Sequence, residues 1–153
     1  FTGITFAGKG QCLDTGAKVE AYGKNTSINI NSKSISKGGG EAVYRSVVHI
    51  GPHAEGAKGA ISCESLMLDD ESRSDTIPDI IIENDDIDLG HEATIGRIPD
   101  EDIYYLMSHG LSEEDAKAML VRGFAEPISK ELPLEYAVEM NRLINLEFEG
   151  AIG

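Results

Sequence analysis

The sequence predicts a β-rich body that carries a small C-terminal helical cap. Three observations predict it. Before Pro99, glycine is dense and short apolar runs alternate with turn clusters. After Pro99, apolar residues return with helical spacing. Hydrophobic residues make up 41% of 153 positions, enough for a core in one domain of about 100–200 residues. The division falls near Pro99, with residues 1–97 as the β body and 98–153 as the helical part.

In the body, strands are expected at Lys18–Tyr22, Ser27–Asn31, Ala42–Ile50, Ala57–Leu68 and Thr76–Glu83. Gly8-Lys-Gly, Gly23-Lys-Asn, Gly38-Gly-Gly, Gly51-Pro, Asp69-Asp-Glu-Ser and Asn84-Asp-Asp mark the turns between them. Many short strands with frequent turns fit a sandwich, a barrel or a solenoid, and no strict repeat selects the solenoid. In Ser27-Ile-Asn-Ile-Asn, polar and apolar residues alternate, so one face of the strand is apolar.

In the cap, Pro99 suits a first helical position, and Asp100, Glu101 and Asp102 suit the positive end of the helix dipole. Ile103, Leu106 and Met107 form an apolar stripe, and Gly110 is a C-terminal stop. Ser112 opens a second helix, with Asp115 completing a variant capping box and Ala116, Met119 and Leu120 as its buried face. A short piece follows near Phe124–Lys130. Pro133 starts a last helix with apolar positions Leu134, Ala137, Val138, Met140, Leu143 and Ile144, ending near Gly150.

The formal net charge is −14, and it is uneven. Residues 1–60 hold seven bases and four acids, whereas residues 61–153 hold six bases and twenty-three acids. Nucleic acid needs a basic face and is excluded as a partner on this count. No run approaches about 18 apolar residues, so no membrane span is expected. The start, Phe1-Thr-Gly-Ile-Thr, has neither the basic nor the apolar region of a signal peptide and reads as the interior of a longer protein. Two cysteines, Cys12 and Cys63, are too few for a disulfide framework, so free thiols in a reducing, cytoplasmic compartment are the expectation.

Candidate chemistry is sparse. His91-Glu-Ala-Thr-Ile95 begins like a zinc-protease helix but lacks the second histidine. Gly38-Gly39-Gly40 lacks the Lys and Ser/Thr of a phosphate loop. Cys63, in Ala60-Ile-Ser-Cys-Glu-Ser-Leu-Met-Leu, shares a strand face with Ile61 and Ser65. It is either a small buried hydrophobe or a soft thiolate ligand suited to iron, copper(I) or zinc. Cys12 sits in a Gly-rich turn. His49, His53, His91 and His109 have the default reading of surface or hydrogen-bonded residues. Asp69, Asp70, Asp85 and Asp86 fall in turns, where Asp caps its own backbone. Read in pairs, they could serve a β-solenoid glycan hydrolase as acid and base, but the chain has no Trp for sugar stacking.

One ordered set of segments goes further. Asp14-Thr-Gly, Gly23-Lys-Asn-Thr, Ser32-Lys-Ser-Ile-Ser, Tyr44-Arg-Ser, the Cys63 strand and His91-Glu-Ala-Thr come first. Tyr104 to Gly110, Ser112-Glu-Glu-Asp-Ala, Val121-Arg-Gly-Phe124 and Leu132-Pro-Leu-Glu-Tyr-Ala137 follow. Together these resemble, in order and over nearly the whole chain, the C-terminal core of the SufB/SufD family, scaffold proteins of the SUF iron–sulfur cluster assembly system. Cys63-Glu-Ser and His91-Glu-Ala-Thr are more similar to SufB. Gly90 stands where many SufB chains have Glu, and Ile95-Gly-Arg drifts toward the SufD pattern.

The resemblance implies a right-handed parallel β-helix followed by a small helical domain. It implies a scaffold rather than an enzyme, with ATP hydrolysis in a SufC-type ATPase docked on the helices. It implies pairing, as a homodimer or with a SufD-like chain, and a sulfur donor protein. It implies a transient iron–sulfur cluster at the dimer interface. Carried over by residue, Cys63 matches the cluster-site cysteine, Glu92 the carboxylate beside it and His91 its neighbour, with Cys63 and Glu92 as iron ligands. The cysteine through which sulfur enters would lie upstream of Phe1. The competing expectation is a structural, SufD-like partner that anchors the ATPase without binding a cluster.

Overall fold

The computed structural model describes residues 1–148. Seven strands precede three helices: β1 Thr2–Ala7, β2 Cys12–Ala21, β3 Ser27–Ser36, β4 Glu41–Ile50, β5 Ala57–Met67, β6 Arg73–Ile82 and β7 Ile87–Arg97, then α1 Asp100–Ser108, α2 Glu113–Glu131 and α3 Leu134–Phe148. One sheet runs β1-β3-β5-β7 and the other β2-β4-β6. The pairings β1–β3, β3–β5, β2–β4 and β4–β6 are all parallel. Odd and even strands therefore alternate between two sheets, and the chain winds as a β-solenoid of about three turns.

Alternation along each strand builds the core. Ala42, Tyr44, Ser46, Val48 and Ile50 of β4 are buried, as are Ile28, Ile30, Ser32 and Ser34 of β3. From β5, Ile61, Cys63 and Ser65 join them. The interior has two regions. One, toward Ala21, Ile28, Ile30, Val48, Ile50, Ala57 and Ile61, is apolar. The other carries hydroxyls, with Thr5 and Thr15 Oγ1 atoms 3.4 Å apart and Ser34 level with Thr5 and Ser65.

Turn chemistry keeps the coils in register. Asp69 Oδ1 accepts hydrogen bonds from the Glu71 and Ser72 amides at 3.0 and 2.8 Å, and Oδ2 accepts from the Gly38 amide one coil away. Asn84 Nδ2 donates to Gly51 O at 2.8 Å. Gly16 is required by close approach, since a Cβ there would lie 1.8 Å from Arg45 O on β4.

The structure revises several sequence-based boundaries. Thr2–Ala7 and Ile87–Arg97 are strands that the turn pattern does not announce, and β2 and β3 are longer than expected. Cys12 is not in a turn but opens β2, exposed. Pro99 has extended backbone and sits at the N-cap of α1, one residue before the helix. The short piece near Phe124–Lys130 is no separate element. It continues α2, with Pro127 inside the helix. Pro127 is exposed, and the row Ala118, Val121, Ala125, Ile128 is buried, so packing carries the helix through the missing amide. Met119, expected inside, is exposed. The capping box forms: Ser112 Oγ accepts from the Asp115 amide at 3.1 Å and donates to Asp115 Oδ2 at 2.6 Å. The stop expected near Gly150 lies outside the described residues.

The chain divides into two compact units, Phe1–Ile95 and a second that begins at Gly96. In the second unit α2 packs against both α1 and α3, and Arg122 Nη1 donates to Asn145 Oδ1 at 3.0 Å.

Candidate cluster-binding site

Cys63 lies mid-strand in β5 with its side chain turned into the solenoid, 2% exposed. Its position follows from the alternation Ile61, Cys63, Ser65, which the sequence places on one face. Ser32 on β3 is its partner across the parallel pairing. From the facing sheet, the buried Tyr44 of β4 belongs to the same core cluster. Cys63 thus sits where the apolar and hydroxyl-bearing regions of the interior meet.

The electrostatics follow from this placement. Burial pushes the Cys63 thiol above its usual range. Burial also pushes the Tyr44 hydroxyl up to about 12, a charge on Cys63 acts in the same direction, and the neighbouring Ser32 hydroxyl opposes it. Tyr44 is therefore a neutral O–H donor at any ordinary pH. The Ser32 hydroxyl is near enough to bias Tyr44, but not with the geometry of a hydrogen bond, and Tyr44 Oη has no partner. Ser36 Oγ and Ser46 Oγ are likewise buried and unpartnered.

His91 and Glu92 lie in β7, and both are exposed. The strand enters the solenoid beside β5: the Gly56 amide donates to Asp86 O at 2.8 Å, and Leu89 packs over Gly59. Among the described residues, no three or more His, Cys, Asp or Glu side chains converge as a metal-binding group. Cys63 by itself supplies one soft donor from the interior. Glu92 and His91 supply harder donors from an exposed strand.

Among the remaining candidates, Asp69, His49, His109 and Cys12 have structural partners. Asp69 is a turn cap: burial pushes its carboxyl up, but hydrogen bonds from Gly38, Ser72 and Glu71 more than offset this and hold it below the usual range. Asp85 and Asp86 are exposed turn residues. His49 lies between carboxylates, with Nε2 3.2 Å from Glu83 Oε2 and Nδ1 4.0 Å from Glu20 Oε1. His109 Nδ1 is 2.8 Å from Tyr105 O, and His53 is exposed. Cys12 Sγ lies 3.8 Å from Glu41 Oε2 on the outer surface.

Sequence reasoning did not single out the hydroxyls around Cys63. The signal was present, since Ser32-Lys-Ser-Ile-Ser puts three serines on one strand face.

Comparison with known proteins agrees with this architecture. Residues 1–124 match the family model described as SUF system FeS cluster assembly, SufBD core domain. The chain is 57% identical over 150 residues to iron-sulfur cluster assembly SufBD family proteins of Staphylococcus saprophyticus, Staphylococcus epidermidis and Staphylococcus aureus. Each match covers 98% of this chain, which spans 32% of the relative's length. No helix among the described residues is long and apolar enough to cross a membrane. With the family model covering all seven strands, α1 and the first part of α2, the chain belongs to the SufBD core-domain family of the SUF iron–sulfur cluster assembly system.

Proposed function

We propose that this chain is the solenoid end of an iron–sulfur cluster assembly scaffold, with Cys63 as the thiolate that holds sulfur or iron and Glu92 as the weaker iron ligand beside it. His91 is a third donor. A single thiolate with carboxylate and imidazole donors binds iron less tightly than a Cys₄ set, which suits a cluster that must leave. The observation that carries this reading is the buried Cys63 thiol, level with Ser32 in the solenoid interior, in a chain of this family. The scaffold itself hydrolyses nothing in this reading.

In this reading a second subunit adds donors to those that the described residues bring. Ile80 and Ile82 of β6 support such a partner. They follow Val48 and Ile50 of β4 in register, yet are 37% and 48% exposed, and among the described residues β6 is the edge of its sheet. A second copy or a SufD-like chain is the proposed cover. The helical unit exposes Tyr104, Leu134, Tyr136 and Val138, an apolar surface offered to a SufC-type ATPase. Nucleotide-driven closure of that partner would shift the solenoid end and bring Cys63 and Glu92 into reach of iron and of a sulfur donor. A reducing compartment suits the free thiols of Cys12 and Cys63.

The buried position of Cys63 favours one second reading, a structural SufD-like subunit in which Cys63 is only core. Anaerobic loading of the purified full-length protein with iron and sulfide separates the two. The scaffold retains both after desalting, and the structural subunit retains neither.

A further inference from the structure

We propose that Asp75 and Pro78 decide where a partner strand pairs along β6, and that this partner is β6 of a second copy of the chain, running antiparallel over Asp79–Glu83. This rests on the reading that a second subunit covers the end of the solenoid, and it names the residues that set the register of that cover. The Arg73 amide donates to Gly40 O at 3.0 Å and the Glu83 amide to Ile50 O at 2.9 Å, so the odd-numbered residues of β6 turn their backbone toward β4. Along a strand, alternate residues turn N–H and C=O to opposite sides. Ser74, Thr76, Pro78, Ile80 and Ile82 therefore turn theirs to the outer edge, where no strand follows among the described residues.

The two halves of that edge differ. In the first, the Thr76 amide already donates to Asp75 Oδ1 at 2.8 Å, and Pro78 has no N–H. Ser74 is left as an isolated donor. A charged side chain and a proline are devices that keep an edge from pairing. In the second half, Ile80 and Ile82 carry ordinary amides, and their exposed side chains continue the buried row of Val48 and Ile50. Beyond them, Asn84 is tied into its own turn by its bond to Gly51 O. A cover for this short stretch must bring two edge-facing backbone positions, two residues apart, with apolar side chains. The same strand of a second copy brings them. With a two-fold axis at Ile81, Ile80 of each copy exchanges both hydrogen bonds with Ile82 of the other. A slip toward the first half sets Ile82 against Pro78 and loses a bond. The favoured register also opposes Asp79 and Glu83, like charges that salt screens.

The test combines sedimentation with residue-resolved amide hydrogen exchange of the full-length protein over a range of concentrations. A dimer is expected that tightens as salt is added. In it the Ile80 and Ile82 amides gain protection with concentration, and the Ser74 amide does not. Ile82→Pro removes an edge amide and leaves the β4 pairing intact. It should weaken the dimer about thirtyfold, because two-fold symmetry removes two hydrogen bonds at once. Thr76→Pro, the same change in the guarded half, should leave the dissociation constant in place. If Ile82→Pro does not fold, the exchange pattern of the wild type decides alone. Protection that extends to Ser74, or an equal effect of the two proline variants, overturns the role of Asp75 and Pro78. A protein that stays monomeric and protects Ile80 and Ile82 only when a SufD-like chain is added overturns the second copy and keeps the covered solenoid end. No protection of either amide in any assembly overturns the covered end itself.

Discussion

Lys33 Nζ meets Glu64 Oε1 at 2.7 Å across the β3–β5 pairing, with the lysine side chain 5% exposed and the glutamate 39%. The two residues are register partners one coil apart. Their pairing keeps a buried ammonium compatible with the outer face of the strand that carries Cys63. Removing the carboxylate takes from this buried ammonium its 2.7 Å partner, which costs more than never having had the pair. Glu64→Ala should therefore destabilise the protein, and the partial exposure of Glu64 reduces the effect to about 1–2 kcal/mol. The midpoint of urea unfolding should fall with the slope unchanged.

Asp69 links two turns through three backbone amides, those of Gly38, Glu71 and Ser72. Asp69→Ala should cost about 2 kcal/mol, more than one ordinary cap. Its carboxyl is held below the ordinary value of 3.8 in the folded protein. The stability it contributes is thus fully present above that value and is lost as pH falls through the lower folded value. Thermal melts from pH 6 to pH 2 should show a shallower acid loss in Asp69→Asn than in the wild type.

Gly16 allows the β2 backbone to approach Arg45 O. Gly16→Ala should destabilise by about 2–3 kcal/mol, because the obstacle is a main-chain carbonyl that cannot move without breaking the β2–β4 pairing. Amide hydrogen exchange should show lost protection in β2 and β4 rather than in the helices.

In the helical unit, Ser112→Ala removes the acceptor for the Asp115 amide. A loss of about 1 kcal/mol is expected, read as faster exchange of amides in the first turn of α2.

The fold was legible where strands alternate cleanly. Ser27-Ile-Asn-Ile and the run from Ala42 to Ile50 show their inner faces in sequence and are buried accordingly. The solenoid itself was not legible from periodicity. Coil length varies, with contacts between successive coils spanning 29 residues at Cys12–Glu41, 31 at Lys33–Glu64 and 32 at Ser74–Ala42. Resemblance, not repeat, pointed to it. The strand β7 escaped notice because Asp88, Gly90, His91 and Glu92 leave little apolar pattern on a strand that is mostly exposed. The piece near Phe124–Lys130 read as separate from the second helix, because the packing of Val121, Ala125 and Ile128 that joins the two into one helix is tertiary. At the site, residue types and the face of Cys63 were legible.

The central claim is that Cys63 holds the nascent cluster with Glu92 beside it. The direct test is anaerobic iron and sulfide loading of the full-length protein, comparing wild type, Cys63→Ser and Glu92→Ala by retained iron, acid-labile sulfide and visible absorption. The account predicts loss of most retained iron and sulfide in Cys63→Ser and a partial loss in Glu92→Ala, each read on protein that its unfolding transition shows to be folded. Equal retention in all three folded proteins would contradict it.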